Sequence, residues 1–599
     1  MPYIYLPNGS KSLAPAGIAI AQALRMLGVD IWLPCGGNGY CGRCLIRVQG
    51  ELEPLTTVEK KQLSPEEITQ GYRLACQAKI IGDLKVFDYQ SLSKSKILTK
   101  TSDLTFYEPQ LPLIIKKEIS LTPPTTNDQR SDLLRLQDAL GKKYDISLRL
   151  LSNLPRIIRE AEFQITVYLS ATRVLDLKPG SGHNPPYGIA IDVGTTTMVA
   201  YLLNLEDKKC VATAATNNPQ AEYGEDVISR ILYASQQEGL DKLQNMVLDG
   251  ANSLIQELIG ATCISPEDIY QVILVGNTCM QHLFFGIDPS NLGLAPYIPA
   301  SNSSVIVNAA QIGLGINPEA EVEFLSNIAG FVGSDALVGA LLLNLGNRKG
   351  TTLFIDLGTN GEIILATGKE IVACSTAAGP AFEGAGIACG TRAVSGAIDR
   401  VEIDKGKIKL HVIDDCKFYR GICGSGLIDA LAVMLELGIL EPGGRICGPN
   451  DVISAYNDHI TAGARGFDFY LDPNWTIKIT QKDVRKVQLA KGAIAAGVKM
   501  LLAEIGLLPS DLDEVFLAGG FGNYLNVKNA QKLGLIPQIA PERVKYVGNA
   551  AGAGAQLVLL SQQKREEAVL LAKNIKHLEL AGKPSFSNIF MEAMMFKPW

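Results

Sequence analysis

Three short motifs occur twice, in the same order, between residues 185 and 599, and this repeat constrains the fold more than any other feature. Ile189-Ala-Ile-Asp192-Val-Gly194-Thr195-Thr196 is matched by Leu353-Phe-Ile-Asp356-Leu-Gly358-Thr359-Asn360. Val272-Ile-Leu-Val-Gly276-Asn277 is matched by Val515-Phe-Leu-Ala-Gly519-Gly520, and Val332-Gly-Ser-Asp335-Ala-Leu-Val-Gly339-Ala340 by Val547-Gly-Asn-Ala550-Ala-Gly-Ala-Gly554-Ala555. A repeated order of this kind predicts two similar α/β lobes facing one another. The first motif is an apolar strand ending in Asp, a Gly/Thr turn and a second apolar strand. Such a turn can aim backbone N–H and hydroxyl groups at phosphate oxygens. The Asp at the strand end offers a hard oxygen to Mg²⁺, through water because Mg²⁺ dehydrates reluctantly. Two turns, one per lobe, would clamp a polyphosphate from both sides.

The order of segments resembles the superfamily of actin, sugar kinases and heat-shock chaperone ATPases. Its phosphate-1, connect-1, phosphate-2, adenosine and connect-2 segments correspond to residues 189–201, 328–343, 353–365, 515–522 and 547–560. A lone Asp-x-Gly-Thr turn is usually a plain hairpin; five segments in order are not. The resemblance implies ATP and Mg²⁺ as ligands. Asp192 with Gly194, Thr195, Thr196 and Thr197, and Asp356 with Gly358, Thr359 and Asn360, would face the phosphates. Gly519, Gly520 and Phe521 would lie at the base and ribose. The small residues around Gly339 and Gly554 suit two helices crossing tightly at a hinge. Asp335 falls where many members keep a water-positioning carboxylate; its repeat partner is Ala550. The plainer role for Asp335 is a charge completing a helix N-terminus. Glu383, in a Gly-rich stretch, is a second candidate acid. Gly424 and Ser425 open an apolar helix and could face a phosphate or ribose, or only permit close packing. No G-x-x-x-x-G-K-[ST] loop is present.

The second chemical signature is Cys35, Cys41, Cys44 and Cys76, spaced C-x5-C-x2-C-x31-C. Four thiolates in this arrangement can hold a [2Fe–2S] cluster, which takes two sulfur ligands on each iron. Zinc is the main rival, although structural zinc usually takes two short pairs. The spacing also permits disulfides, or a redox dithiol at Cys41/Cys44. The five-residue first gap resembles the adrenodoxin-like branch of [2Fe–2S] ferredoxins, which implies a β-grasp domain over 1–88. A strand at Tyr3, a helix over 17–27 and a strand resuming at Leu45 agree.

Composition excludes some classes. The chain has 599 residues, 47% hydrophobic and 19% charged, with net charge −6 and pI near 5.6. Several globular domains are expected, with no basic patch for nucleic acid or a membrane surface. No run of eighteen uninterrupted apolar residues occurs, and the N-terminus lacks a signal-peptide pattern. Twelve cysteines in so long a chain fit a reducing cytoplasm. Residues 89–128, polar and then rich in proline, read as a linker. Residues 129–184, with two helical patterns and one alternating strand, read as a small α+β middle domain. Residues 185–599 then form the two-lobed actin-like (ASKHA) ATPase domain, lobe one about 185–345 and lobe two about 346–599, with the final helix returning to the hinge. The fold class expected is therefore α/β multidomain.

This combination is similar, over essentially the whole chain, to the reductive activators of corrinoid-dependent proteins. The resemblance implies an ATP-dependent transfer of one electron from the [2Fe–2S] cluster to an inactive Co(II) corrinoid protein, regenerating Co(I) for methyl transfer. It implies a corrinoid/iron–sulfur protein or a corrinoid methyltransferase component as partner, an upstream electron donor, and a homodimer. Another activator branch carries a C-terminal [4Fe–4S] cluster; the tail here, ending at Trp599, has no cysteine. Competing readings of the chain are an ASKHA-type small-molecule kinase regulated by a ferredoxin domain, a dehydratase-activator-like ATPase, and a redox scaffold with a dead nucleotide site.

Overall fold

The computed structural model describes all residues except 1, 8, 28, 30–43, 64, 90–110, 225, 417–418, 453–454, 473 and 523–524. The N-terminal domain is a five-stranded sheet in the order Lys11–Leu13, Tyr3–Tyr5, Ile80–Tyr89, Leu45–Leu52, Tyr72–Leu74. The first and last strands in sequence lie side by side and parallel, Ile4 opposite Leu84. The helix Ile20–Met26 supplies Ile20 and Leu24 to the domain's own core, with Ile4, Ile46 and Leu74. This is the expected β-grasp arrangement.

The middle domain differs from expectation at its start. Ile115–Ser120, assigned by sequence to a linker over 89–128, forms a strand paired antiparallel with Gln164–Leu169, which in turn pairs with Val174–Pro179. Its text, Ile-Lys-Lys-Glu-Ile-Ser, hides the strand because it is a charged edge strand, half exposed along its length. Leu113 and Ile114, just before it, are buried in a core shared with both lobes. Two helices cover the sheet, Asp132–Leu140 capped by Ser131 and Leu148–Glu160 capped by Ser147. Polar groups fasten this domain to lobe one. Glu319 accepts from Ser147 Oγ at 2.7 Å and Arg149 Nε at 3.0 Å, and Lys178 pairs with buried Asp268 at 2.5 Å.

The two lobes carry matching sheets. Lobe one has the order Cys210–Asn217, Thr197–Asn204, Tyr187–Val193, Ile269–Val275, Glu321–Phe324, Val305–Asn308. Lobe two has Ile575–His577, Ile371–Thr376, Gly361–Ala366, Thr352–Leu357, Glu514–Ala518, Val544–Tyr546. The repeat is geometric as well as sequential. Asp192 lies opposite Val275 in a parallel pair, and Asp356 lies opposite Ala518 in the equivalent one.

The helices Ser334–Leu342 and Ala550–Leu559 cross between the sheets. A Cβ added at Gly554 would stand 2.4 Å from the Val338 carbonyl, and one at Gly339 would stand 2.7 Å from the Phe354 ring. The helix crossing therefore requires Gly554, and the packing of Ser334–Leu342 on the strand Thr352–Leu357 requires Gly339. Gly554→Val should destabilise the two-lobed unit by about 1–3 kcal/mol, the usual scale of overpacking, seen as a lower thermal unfolding midpoint. The helix that returns to the hinge is thus Ala550–Leu559. The final helix, Phe586–Ala593, instead packs on Gln481–Glu504 in lobe two, because Phe586 and Ile589 add to that lobe's core. Among the described residues no helix is long and apolar enough to cross a membrane.

Candidate functional site

A cleft of about 590 Å³ opens between the lobes, and both Asp-ended hairpins line it. Each hairpin is fixed by its strand register. Asp192 pairs with Val199 across the first, and Asp356 with Glu362 across the second, so each carboxylate stands at the mouth of a Gly/Thr turn. The turns meet across the cleft, Thr196 Oγ1 standing 3.2 Å from Thr359 Oγ1. Gly194 and Thr195 on one side, and Gly358 and Asn360 on the other, complete the two turns, with Thr197 beginning the strand beyond. Lobe one's turn is braced from behind. Asn218 Nδ2 donates to the Gly194 carbonyl at 2.8 Å, buried Arg230 donates to the Thr195 carbonyl, and Asn277 Nδ2 donates to Thr195 Oγ1 at 2.9 Å.

Asp335, in the first turn of Ser334–Leu342, lines the same cleft. Burial pushes Asp192 and Asp356 up to about 7, with the Asp335 charge adding to both; burial likewise raises Asp335 to about 6. Asn549, the N-cap of Ala550–Leu559, partly offsets this at Asp192 by donating to its carboxylate at 3.2 Å. Glu362, which sequence reasoning missed, is buried beside them, and burial followed by the Asp335 and Asp356 charges raises it as well. Its signal was a single Glu inside the otherwise apolar strand Gly361–Ala366. A crowd of buried carboxylates is a site short of positive charge, which suits a divalent cation. Among the described residues no three of them converge on one direct coordination point. A Mg²⁺ ion would accordingly be held largely through water and phosphate oxygens.

The other expected residues divide between the cleft and the protein's own bonding. Gly519, Gly520, Gly424 and Ser425 all line the cleft. The Ser425 hydroxyl donates to the Asp399 carbonyl at 2.8 Å, so it is the helix N-terminus that is left to offer backbone groups. Glu383 accepts from Thr359 Oγ1 at 2.5 Å, so it orients the second turn. Phe521 belongs to the short helix Gly519–Gly522, but its side chain falls outside the described residues.

At the other site, Cys44 Sγ and Cys76 Sγ stand 3.2 Å apart, too far for a disulfide and close enough to share one metal. Cys35 and Cys41 lie outside the described residues. Cys76 follows a strand held by fully buried Glu59, which takes two bonds from Arg73 and one from the Leu74 N–H at 3.1 Å. Those donors hold the Glu59 carboxyl below its ordinary range despite its burial.

Family comparisons discriminate between the readings of both sites. Residues 350–598 match the C-terminal domain of RACo, the ASKHA domain; residues 187–348 match the RACo middle region and residues 110–184 the RACo linker region. Residues 7–80 match a 2Fe-2S iron-sulfur cluster binding domain, which favours iron–sulfur over zinc. The corrinoid activation enzyme RamQ of Eubacterium limosum is 34% identical over 601 residues, 96% of either chain. The chain belongs to the RACo family of reductive activators. A solved structure described as a reductive activator for corrinoid, iron-sulfur protein superposes with a TM-score of 0.74 at 36% identity, covering 100% of this chain and 98% of that one. A [Co(II) methylated amine-specific corrinoid protein] reductase of Methanosarcina barkeri is 27% identical over 441 residues, 68% of this chain and 76% of its own. The match to the RACo linker region, residues 110–184, includes the strand Ile115–Ser120.

Proposed function

We propose that this activator uses ATP to transfer one electron from a [2Fe–2S] cluster to a Co(II) corrinoid protein, regenerating Co(I). The observation that carries the ATP half is the meeting of two equivalent Asp-Gly-Thr turns at 3.2 Å over a crowd of carboxylates. Backbone and hydroxyl groups of the turns at Gly194–Thr197 and Gly358–Asn360 hold the phosphates. Asp192 and Asp356 would hold Mg²⁺ through water, in a cleft that Glu362 also lines. Asp335 orients the attacking water, and Gly519 and Gly520 let the nucleoside approach the backbone. Cys35, Cys41, Cys44 and Cys76 hold the cluster, which supplies the single electron. An upstream electron donor would replace each electron passed on to cobalt. The partner is a corrinoid/iron–sulfur protein or a corrinoid methyltransferase component. A homodimer and a cytoplasmic setting belong to the same reading.

Making Co(I) runs against the tendency of an ordinary ferredoxin electron. Moving a two-state system from 1:99 to 99:1 takes about 5.5 kcal/mol of differential binding, within reach of a lobe closure driven by nucleotide. The anaerobically reduced protein alone should bring little of a corrinoid protein to Co(I), and ATP·Mg²⁺ should raise that yield. Co(I) absorbance is the measurement. Equal yields with and without ATP, across the corrinoid proteins of the same cell, would reject the coupling.

A further inference from the structure

Arg392 is the only cationic side chain among the described residues lining the cleft, whose acidic residues are Asp192, Asp335, Asp356, Glu362, Glu383, Asp399 and Asp414. It comes from lobe two and reaches across to lobe one, where Nη1 donates to Asn217 Oδ1 at 2.5 Å. That partner is a neutral amide, so among the described residues the guanidinium has no carboxylate answering its charge directly. Asn217 ends the strand Cys210–Asn217, one residue before the Asn218 that braces the Gly194 carbonyl.

Backbone hydrogen bonds hold the loop that presents Arg392. The Thr391 N–H donates to the Ile422 carbonyl at 2.9 Å, and the Arg392 carbonyl accepts from the Val394 N–H at 2.8 Å. Two glycines make room for it. A Cβ at Gly384 would stand 2.4 Å from the Thr391 carbonyl, and one at Gly421 would stand 2.6 Å from the Cys389 carbonyl. Both have positive φ, so a side chain there would also be strained. The Gly-rich text around Glu383 and Gly421 therefore serves to seat an arginine at the cleft.

We infer that Arg392 binds the terminal phosphate of the nucleotide, exchanging its bond to Asn217 for charge-assisted bonds to phosphate oxygens. This rests on the ATP reading above and adds a cationic side chain of the protein to it. During hydrolysis water adds to the γ-phosphorus while the bond to the ADP oxygen breaks, and a proton is released with inorganic phosphate. Charge spreads over the equatorial oxygens, and a guanidinium fork matches it better than an ammonium point charge. Because Arg392 belongs to lobe two and its resting partner to lobe one, the exchange also reports nucleotide to the interface between the lobes.

The test uses the full chain with ATP·Mg²⁺ and ADP·Mg²⁺. Arg392→Ala should lower kcat for ATP hydrolysis about 10³-fold, at the low end of the arginine-finger range, while ADP affinity changes less than about threefold. Added guanidinium ion at millimolar concentration should restore part of the rate, and Arg392→Lys should restore little. Asn217→Ala, which releases the arginine, should lower the KM for ATP. An Arg392→Ala protein within threefold of wild-type kcat would overturn the assignment, as would equal losses of ADP and ATP affinity with no guanidinium rescue. Wild-type protein that neither binds nor hydrolyses ATP would overturn the nucleotide reading itself, and this proposal with it.

Discussion

Cys76→Ser should abolish Co(II) reduction while leaving ATP·Mg²⁺ binding and hydrolysis in place. Cys44 and Cys76 present sulfurs 3.2 Å apart, and an alcohol oxygen is a poor substitute for a thiolate on iron. The visible spectrum of the reconstituted protein should therefore be lost or strongly altered. Cys447→Ser, at a buried residue of lobe two's core, should leave that spectrum unchanged. The nucleotide half should survive because the N-terminal domain has a core of its own, built from residues such as Ile4, Leu24 and Leu74. The cleft is instead framed by the cores of the lobes, one of which both lobes share. Two measurements on one sample decide it: Co(I) absorbance with a corrinoid partner, and phosphate release without one. A Cys76→Ser protein that kept a wild-type spectrum and reduced cobalt at the wild-type rate would remove Cys76 from the cluster.

What the sequence made legible was what the chain says twice. Asp192 and Asp356, Gly194 and Gly358, Gly339 and Gly554 each have a counterpart in the other lobe, and the structure sets these pairs at equivalent places. Residues without a counterpart were harder to read. Glu362 occupies a strand that is otherwise apolar and gives no periodic signal. Arg392 sits in a loop whose glycines serve its neighbours' backbone. The strand Ile115–Ser120 failed to announce itself because an edge strand can be charged on both faces. Glu383 was read as a candidate acid, and Ser425 as facing a phosphate or ribose or only permitting close packing; both line the cleft with a hydrogen bond inside the protein, one from Thr359 and the other to the Asp399 carbonyl. A motif supplies the residue types, but which hydrogen bonds they keep for themselves is set by packing.

Asp356→Ala should leave a reducible cluster but remove the effect of ATP, the converse of the cysteine variant. Asp356 ends the strand Thr352–Leu357, lines the cleft, and is raised to about 7 by burial and by the charge of Asp335. Removing this carboxylate takes away one of the two strand-end groups that would organise Mg²⁺. ATP turnover should fall by at least ~10²-fold, the scale of losing one preorganised charge-stabilising group. Asp192→Ala should do the same from the opposite lobe. Asp335→Ala should reduce kcat more than nucleotide affinity, since a residue that orients water contributes mainly in the transition state. The three variants thus separate holding the metal from orienting the water, by calorimetry for binding and phosphate release for turnover. Unchanged ATP·Mg²⁺ affinity and turnover in both the Asp192 and Asp356 variants would show that the duplicated hairpins do not hold the nucleotide. Cobalt reduction that stayed ATP-dependent in those variants would place the coupling outside this cleft.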